Sequence, residues 1–180
     1  MLRRAQADDK DDLLKLHQAV AAVPGGVIRT IAELTPAYIE GVLERSLNNG
    51  LMLVVEDEGQ LTGSIHAYTP NLRAFRHLLS DLTIVVHPDF QGRGLGRKLF
   101  TTFLEQVRQN SPHILRIELF VRITNTAAIR FYESLGFVQE GAQRDKILNA
   151  EGVLETPVAM AWRNPKWEIG DGKSEVEGTR

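Results

Sequence analysis

The amino-acid sequence predicts a mixed α/β domain, with a central and mostly antiparallel sheet of about seven strands and helices on both faces. Three observations predict it. Two amphipathic helical runs come early, after only a short apolar segment. Two β-branched runs separated by a tight turn follow them. The second half then alternates strand, helix, strand, helix and ends in two more strands, an order that layers helices against a sheet.

Taken in order, Leu2 to Arg4 reads as a first strand. Asp8 or Asp9 caps a helix running to about Val23, with Leu13, Leu14, Leu16, Val20 and Val23 at helical spacing toward the core. Pro24-Gly25-Gly26 stops it, and residues 27–34 form a loop or frayed turn. Thr35 followed by Pro36 supplies an N-cap and a first helical position for a second helix through Ile39, Val42, Leu43 and Leu47. Asn48-Asn49-Gly50 tolerates the left-handed conformation that ends it. Residues 51–56 and 61–68 are strands joined by a hairpin turn at 57–60, and 69–77 is a polar, arginine-bearing loop.

Residues 82–86 are a short β-branched run that reads as a strand buried on both faces. Pro88 ends it, because proline has no amide to give a sheet ladder. Leu99, Phe100, Phe103, Leu104 and Val107 mark a helix from about residue 94 to 109, broken by Ser111-Pro112. A strand at 114–121, a helix at 125–135 closed by Gly136, and strands at 137–147 and 154–162 around a turn at 149–152 complete the domain. Residues 1–163 form a single domain in this reading, and the polar, charged residues 164–180 form a flexible tail on which Trp167 is able to dock.

At 180 residues the chain suits one domain with a real core rather than two. A net charge of −2 and a pI near 6.2 give no basic field to attract nucleic acid or a membrane surface. No apolar stretch approaches the roughly 20 residues that cross a bilayer, and the start of the chain has no apolar core of a signal peptide. The expected setting is cytoplasmic. There is no cysteine, which excludes disulfides, thiolate metal sites and a cysteine acyl-enzyme. His17, His66, His77, His87 and His113 have no metal-ligand spacing, so no metal is expected.

The most informative stretch is Gln91-Gly92-Arg93-Gly94-Leu95-Gly96-Arg97, which lies between the strand at 82–86 and the following helix. The first amides of a helix are unpaired and carry partial positive charge. Without Cβ atoms in the way they can close on a phosphate oxygen, and Arg93 and Arg97 add formal charge. The loop reads as a pyrophosphate cradle, although a glycine cluster also serves simple turns. It lacks the third glycine of a dinucleotide fingerprint and the lysine-serine/threonine pair of a P-loop.

Gln91-x-x-Gly94-x-Gly96 resembles motif A of the GNAT N-acetyltransferase superfamily. The segment from Asn125 through Tyr132 to Gly136-Phe137 resembles its motif B. The likeness runs from about residue 51 to 162. It implies a GNAT-like sheet in which adjacent parallel strands, here those ending near Val86 and Val121, splay to admit acetyl-CoA. It implies acetyl transfer to a primary amine of a small molecule, an amino acid or a peptide N-terminus. A non-catalytic acyl-CoA-binding regulatory domain is the alternative, and a homodimer is possible.

On that resemblance the pyrophosphate would sit on amides of Gln91, Gly92, Arg93, Gly94, Leu95 and Gly96, with Arg93 or Arg97 beside phosphate. The pantetheine arm would pair like an added strand with Ile84, Val85 and Val86. Asn125 would bond the arm, a role compatible with capping the helix that carries Ala128. With no cysteine, the amine would attack the thioester directly. Tyr132, two helical turns after Asn125, matches the family's general acid, or else packs its ring in the core. Asp81 and Glu118 are the candidate bases, alongside ordered water, and either carboxylate can instead pair with Arg116, Arg122 or loop arginines. Arg29, Arg73, Arg76 and His77 are candidates for holding an anionic acceptor. Residues 136–145 with Met160-Ala161 resemble the branch acting on free amino acids, small amines or ribosomal-protein N-termini.

Overall fold

The computed structural model describes residues 1–23, 27–149 and 151–167. The Pro24-Gly25-Gly26 stop, Ala150 of the final turn and residues 168–180 of the expected tail lie outside them. The helices are α1 (Lys10–Ala21), α2 (Pro36–Asn49), α3 (Leu95–Asn110) and α4 (Thr126–Ser134). The strands are β1 (Leu2–Arg4), β2 (Gly50–Asp57), β3 (Gln60–Tyr68), β4 (Leu78–Val86), β5 (Arg116–Arg122), β6 (Val138–Ala142), β7 (Ile147–Leu148), β8 (Leu154–Glu155) and β9 (Pro157–Arg163). Seven of them form one sheet in the order β1-β2-β3-β4-β5-β9-β6. Every pairing in it is antiparallel except β4 with β5. This is the mostly antiparallel mixed sheet that the order of elements predicts.

Alternation along β2 shows why both faces are covered. Met52 and Val54 pack with Leu13, Leu16, Val20, Ile39, Val42 and Leu43 of α1 and α2. Leu51, Leu53 and Val55 pack on the other face with Leu99, Phe100 and Phe103 of α3. A strand with period 2 between two helical layers must be apolar on both sides, and β2 is. Val23, past the end of α1, and Leu47, in the last turn of α2, are exposed rather than part of the core. At the start of α1, Asp9 does not cap with its side chain. Its carboxylate instead accepts from the Gln6 amide at 2.7 Å and from Arg3 at 2.7 and 2.8 Å.

β4 departs from the sequence reading in two ways. It begins at Leu78 rather than at 82, because Leu78 and Leu79 pair with Arg116 and Ile117 of β5. It also carries a bulge: Tyr68 faces Ser80 but His66 faces Thr83, so β4 spends three steps where β3 spends two. Asp81 occupies the bulge at φ 53°. Beyond it Val85 is buried among α1 and α2, but Leu82, Thr83, Ile84 and Val86 are only half-buried, not enclosed on both faces as expected.

The two long final strands are in fact four short ones. The first run shifts register at Gly141 within β6 and is broken around Asp145 at φ 56°, and Thr156 divides the second. β9 then inserts between β5 and β6, while β7 and β8 form a separate two-stranded ribbon. Asn164 is buried, with its amide nitrogen Nδ2 donating to Ile114 O at 3.0 Å and its backbone N–H donating to Leu115 O at 2.7 Å. The first residue assigned to the tail is therefore anchored against the start of β5. No helix of the described residues is long and apolar enough to cross a membrane.

Phe100 is fully buried, and its ring centroid lies 5.8, 5.6 and 5.6 Å from those of Phe131, Tyr132 and Phe137. Truncating such a ring removes apolar burial and leaves a cavity. Phe100→Ala is expected to lower the stability read from urea unfolding by about 3–5 kcal/mol.

Candidate active site

The site begins where β4 and β5 separate. They pair only through Leu78↔Arg116 and Leu79↔Ile117. β4 continues bonded to β3 as far as Gly63↔Val86, and β5 continues bonded to β9 as far as Arg122↔Pro157. Past Leu79, the edge of β4 facing β5 therefore has no paired strand among the described residues. A groove of about 760 Å³ runs along it, floored by Ile84 and Val86 and walled by Gln91 to Arg97 on one side and Ala127, Ala128, Phe131 and Tyr132 on the other.

One end of this groove is the N-terminus of α3. Gly94 is the residue before the helix and sits at φ 76°, a conformation that favours glycine. Gln91 Nε2 donates to Val86 O at 3.1 Å, tying the loop to the end of β4. Among the described residues no acceptor takes the amides of Leu95, Gly96 or Arg97, which point out of the helix as positive partial charges. A Cβ built on Gly96 would lie 3.8 Å from Val86 and 4.0 Å from Ile84, in ordinary contact over the groove floor. Packing therefore does not demand glycine there.

The two loop arginines diverge. Arg97 lines the groove, bonded to Ser134 Oγ at 3.1 Å and stacked 5.3 Å over Phe131. Arg93 stacks 5.2 Å over Phe90 and lines a neighbouring hollow with Lys98. Val85 turns its side chain into the core, so only its main chain faces the edge. Asn125 caps α4, its side-chain oxygen accepting from Ala128 N–H at 3.1 Å, while Ala128 itself lines the groove.

A second, smaller cleft of about 170 Å³ opens between the α1–α2 connection and β5. Its walls are mostly apolar and include Ile28, Leu34, Leu82 and Phe120, with His17, Arg29 and Tyr38 among the polar members. Ile84 and Tyr132 belong to both spaces. Tyr132 thus stands at the junction of groove and cleft, its ring held by Phe100, Phe131 and Phe137. Burial raises its pKa, so the hydroxyl keeps its proton at neutral pH.

Residues 27–137 match the Acetyltransferase (GNAT) family. This chain belongs to the GNAT family. Over 97 residues it is 35% identical to the L-amino acid N-acyltransferase MnaT of Escherichia coli, covering 52% of this chain and 54% of that protein. Over 82 residues it is 38% identical to the ribosomal protein bS18 alanine N-acetyltransferase of Salmonella typhimurium, covering 43% and 54%. The chain spans about half the length of these relatives. Its fold superposes with a TM-score of 0.81 on a phosphinothricin acetyltransferase of Sinorhizobium meliloti solved with AcCoA, at 19% identity over 98% of this chain and 94% of the other.

In this GNAT chain neither candidate carboxylate lines the cleft. Asp81 is exposed and lies beside Tyr68, whose pKa is pushed up to about 12 by burial and by that carboxylate. Glu118 accepts from Arg116 Nε at 3.1 Å, and the same guanidinium holds Glu140 at 2.7 Å. Of the four residues expected to meet an anionic acceptor, Arg29 lines the cleft and stacks 4.2 Å over Tyr38. Arg76 lines a hollow beside α3's C-terminus, and Arg73 and His77 line neither space. The sequence reading missed His17 and Tyr38. Their one signal is a polar or aromatic side chain on a helix face that otherwise packs. No three His, Asp or Glu side chains among the described residues are grouped to hold a metal.

Proposed function

We propose that this chain is an acetyl-CoA-dependent N-acetyltransferase that moves an acetyl group onto a primary amine by direct attack, with both substrates bound. The observation that carries this reading is the meeting of groove and cleft at Tyr132 and Ile84. GNAT membership, the acyl-transfer names of the relatives and the AcCoA bound by the Sinorhizobium protein support the donor.

The residues fit such a donor. Amides of Leu95, Gly96 and Arg97, with the Arg97 guanidinium, would hold the diphosphate. The free edge at Ile84, Val85 and Val86 would take the amide-bearing arm as an added strand. The bound thioester supplies an activated acetyl group and a thiolate leaving group. The Tyr132 phenol, above its ordinary pKa of about 10, is a weaker acid than a thiol at about 8.5. It therefore acts chiefly as a hydrogen-bond donor to charge developing on sulfur.

On the acceptor side, Arg29 is the one formally charged group among the described lining residues, and the remaining wall is largely apolar. That supports an amine carrying an anionic group and an apolar body, such as a free α-amino acid, over a polyamine. Glu118 is held by Arg116, and Asp81 lies outside the cleft lining.

Thiol release from acetyl-CoA against amino acids, polyamines and N-terminal peptides tests the reading. Turnover is expected with amino acids, and none with any amine would overturn it. Gly96→Glu places a carboxylate at a helix N-terminus, where it is tolerated, so calorimetry should show CoA affinity lost with the melting temperature unchanged. Tyr132→Phe should lower kcat by about a hundredfold while CoA affinity stays at the wild-type value.

A further inference from the structure

The acceptor cleft contains one nitrogen base. His17 lies on the core-facing side of α1 among Leu13, Leu16 and Val20, and is 3% exposed, yet it lines the cleft with Ile84 and Tyr132. A buried imidazole on a packing face costs stability unless its nitrogens find partners. Ser64 of β3 provides one, with Oγ 3.4 Å from Nε2. Behind His17, the His66 ring lies 6.2 Å away at an interplanar angle of 30°.

We infer that His17 is the catalytic base of this site and takes the proton from the acceptor nitrogen as that nitrogen bonds to the acetyl carbon. This rests on the acetyltransferase reading above. The C–N bond forms, the C–S bond breaks, and its electron pair leaves on sulfur. The surplus proton on nitrogen passes to the imidazole. With Nε2–H donating to Ser64 Oγ, Nδ1 carries the lone pair that receives it. Sulfur takes a proton from water while Tyr132 donates a hydrogen bond to it, and His17 returns its proton to solvent as product leaves.

The surroundings suit a neutral base. Burial lowers the His17 pKa to about 4 and the His66 pKa to about 3. Arg45 of α2 further opposes charge on His66, and Arg29, Tyr38 and Tyr132 are the other titratable groups of the cleft lining. The carboxylate of Asp81 acts on Tyr68, whose ring stacks 6.2 Å from His66. Such an imidazole cannot strip an ammonium ion with a pKa of about 8 or more in the ground state. It does not need to. An apolar cleft beside Arg29 favours entry of the neutral amine, whose nitrogen becomes strongly acidic only once it bonds to the carbonyl carbon.

The test is steady-state kinetics on the full chain with the best acceptor of the wild type. His17→Gln keeps a hydrogen-bonding side chain but cannot carry the proton. It should lose about a hundredfold or more in kcat at unchanged CoA affinity and melting temperature, while Asp81→Asn stays within about threefold. Added imidazole should restore part of the activity of His17→Ala, which a merely structural role would not allow. A kcat within about threefold of wild type for His17→Gln, or the large loss appearing in Asp81→Asn instead, would overturn the assignment. Should the variants not fold, the ¹⁵N imidazole resonances of wild-type His17 decide: they should move when acceptor joins the CoA complex, and fixed resonances would overturn it. A wild type that releases no thiol with any amine removes the acetyltransferase reading itself, an outcome separate from failure of the His17 variants.

Discussion

β4 and β5 touch through two residue pairs and then part, and the site exists because they do. Each strand is secured from its outer side: β4 by β3 to its last residue, and β5 by β9 over its whole length. The sheet therefore survives an opening in its middle that would otherwise unravel it. Opened strands leave main-chain donors and acceptors that require partners. Water can meet that requirement, and under the proposed function a ligand bearing peptide-like amides would take its place. The α3 amides at the end of the same opening extend the logic from hydrogen bonding to charge.

The bulge at Asp81 sets what faces the opening. Leu79 and Val85 are an even number of residues apart and should share a face, yet Leu79 packs with α3 and Val85 with α1 and α2. The extra residue between Ser80 and Thr83 reverses the faces of the strand. Ile84 and Val86 consequently lie on the α3 side, under the groove, and the fully buried Phe100 supports Tyr132 from below. Positioning of the phenol is thus continuous with the main hydrophobic core.

Local signals in the sequence carry much of this. Thr35 caps α2 by accepting from Tyr38 N–H at 3.2 Å with Pro36 at the first position, Pro88 follows the end of β4, and Gly94 leads into α3, as their types require. Asn125 is a cap, readable from its place before an apolar helical run. What the sequence does not reveal is long-range. Nothing near Asp81 marks a bulge, because the slip is defined by which residues of β3 lie opposite. The insertion of β9 between β5 and β6 depends on pairing between segments distant in sequence, such as Arg116 with Arg163, rather than on local propensity. The smaller cleft draws His17, Tyr38 and Phe120 from three separate elements, and no spacing rule links them. Of the two roles open to Glu118, base or ion-pair partner, the pairing with Arg116 is present, and that guanidinium also holds Glu140.

Trp162 adds an optical consequence. Its indole is almost wholly buried, lies 3.5 Å from where a Cβ on Gly136 would be, and stacks with Arg108 at 5.7 Å. Of the two tryptophans in the chain it is the one enclosed between β9, the end of α4 and the last turns of α3, and it lines neither groove nor cleft. Its emission is therefore a built-in gauge of whether the scaffold around the end of α4 is intact.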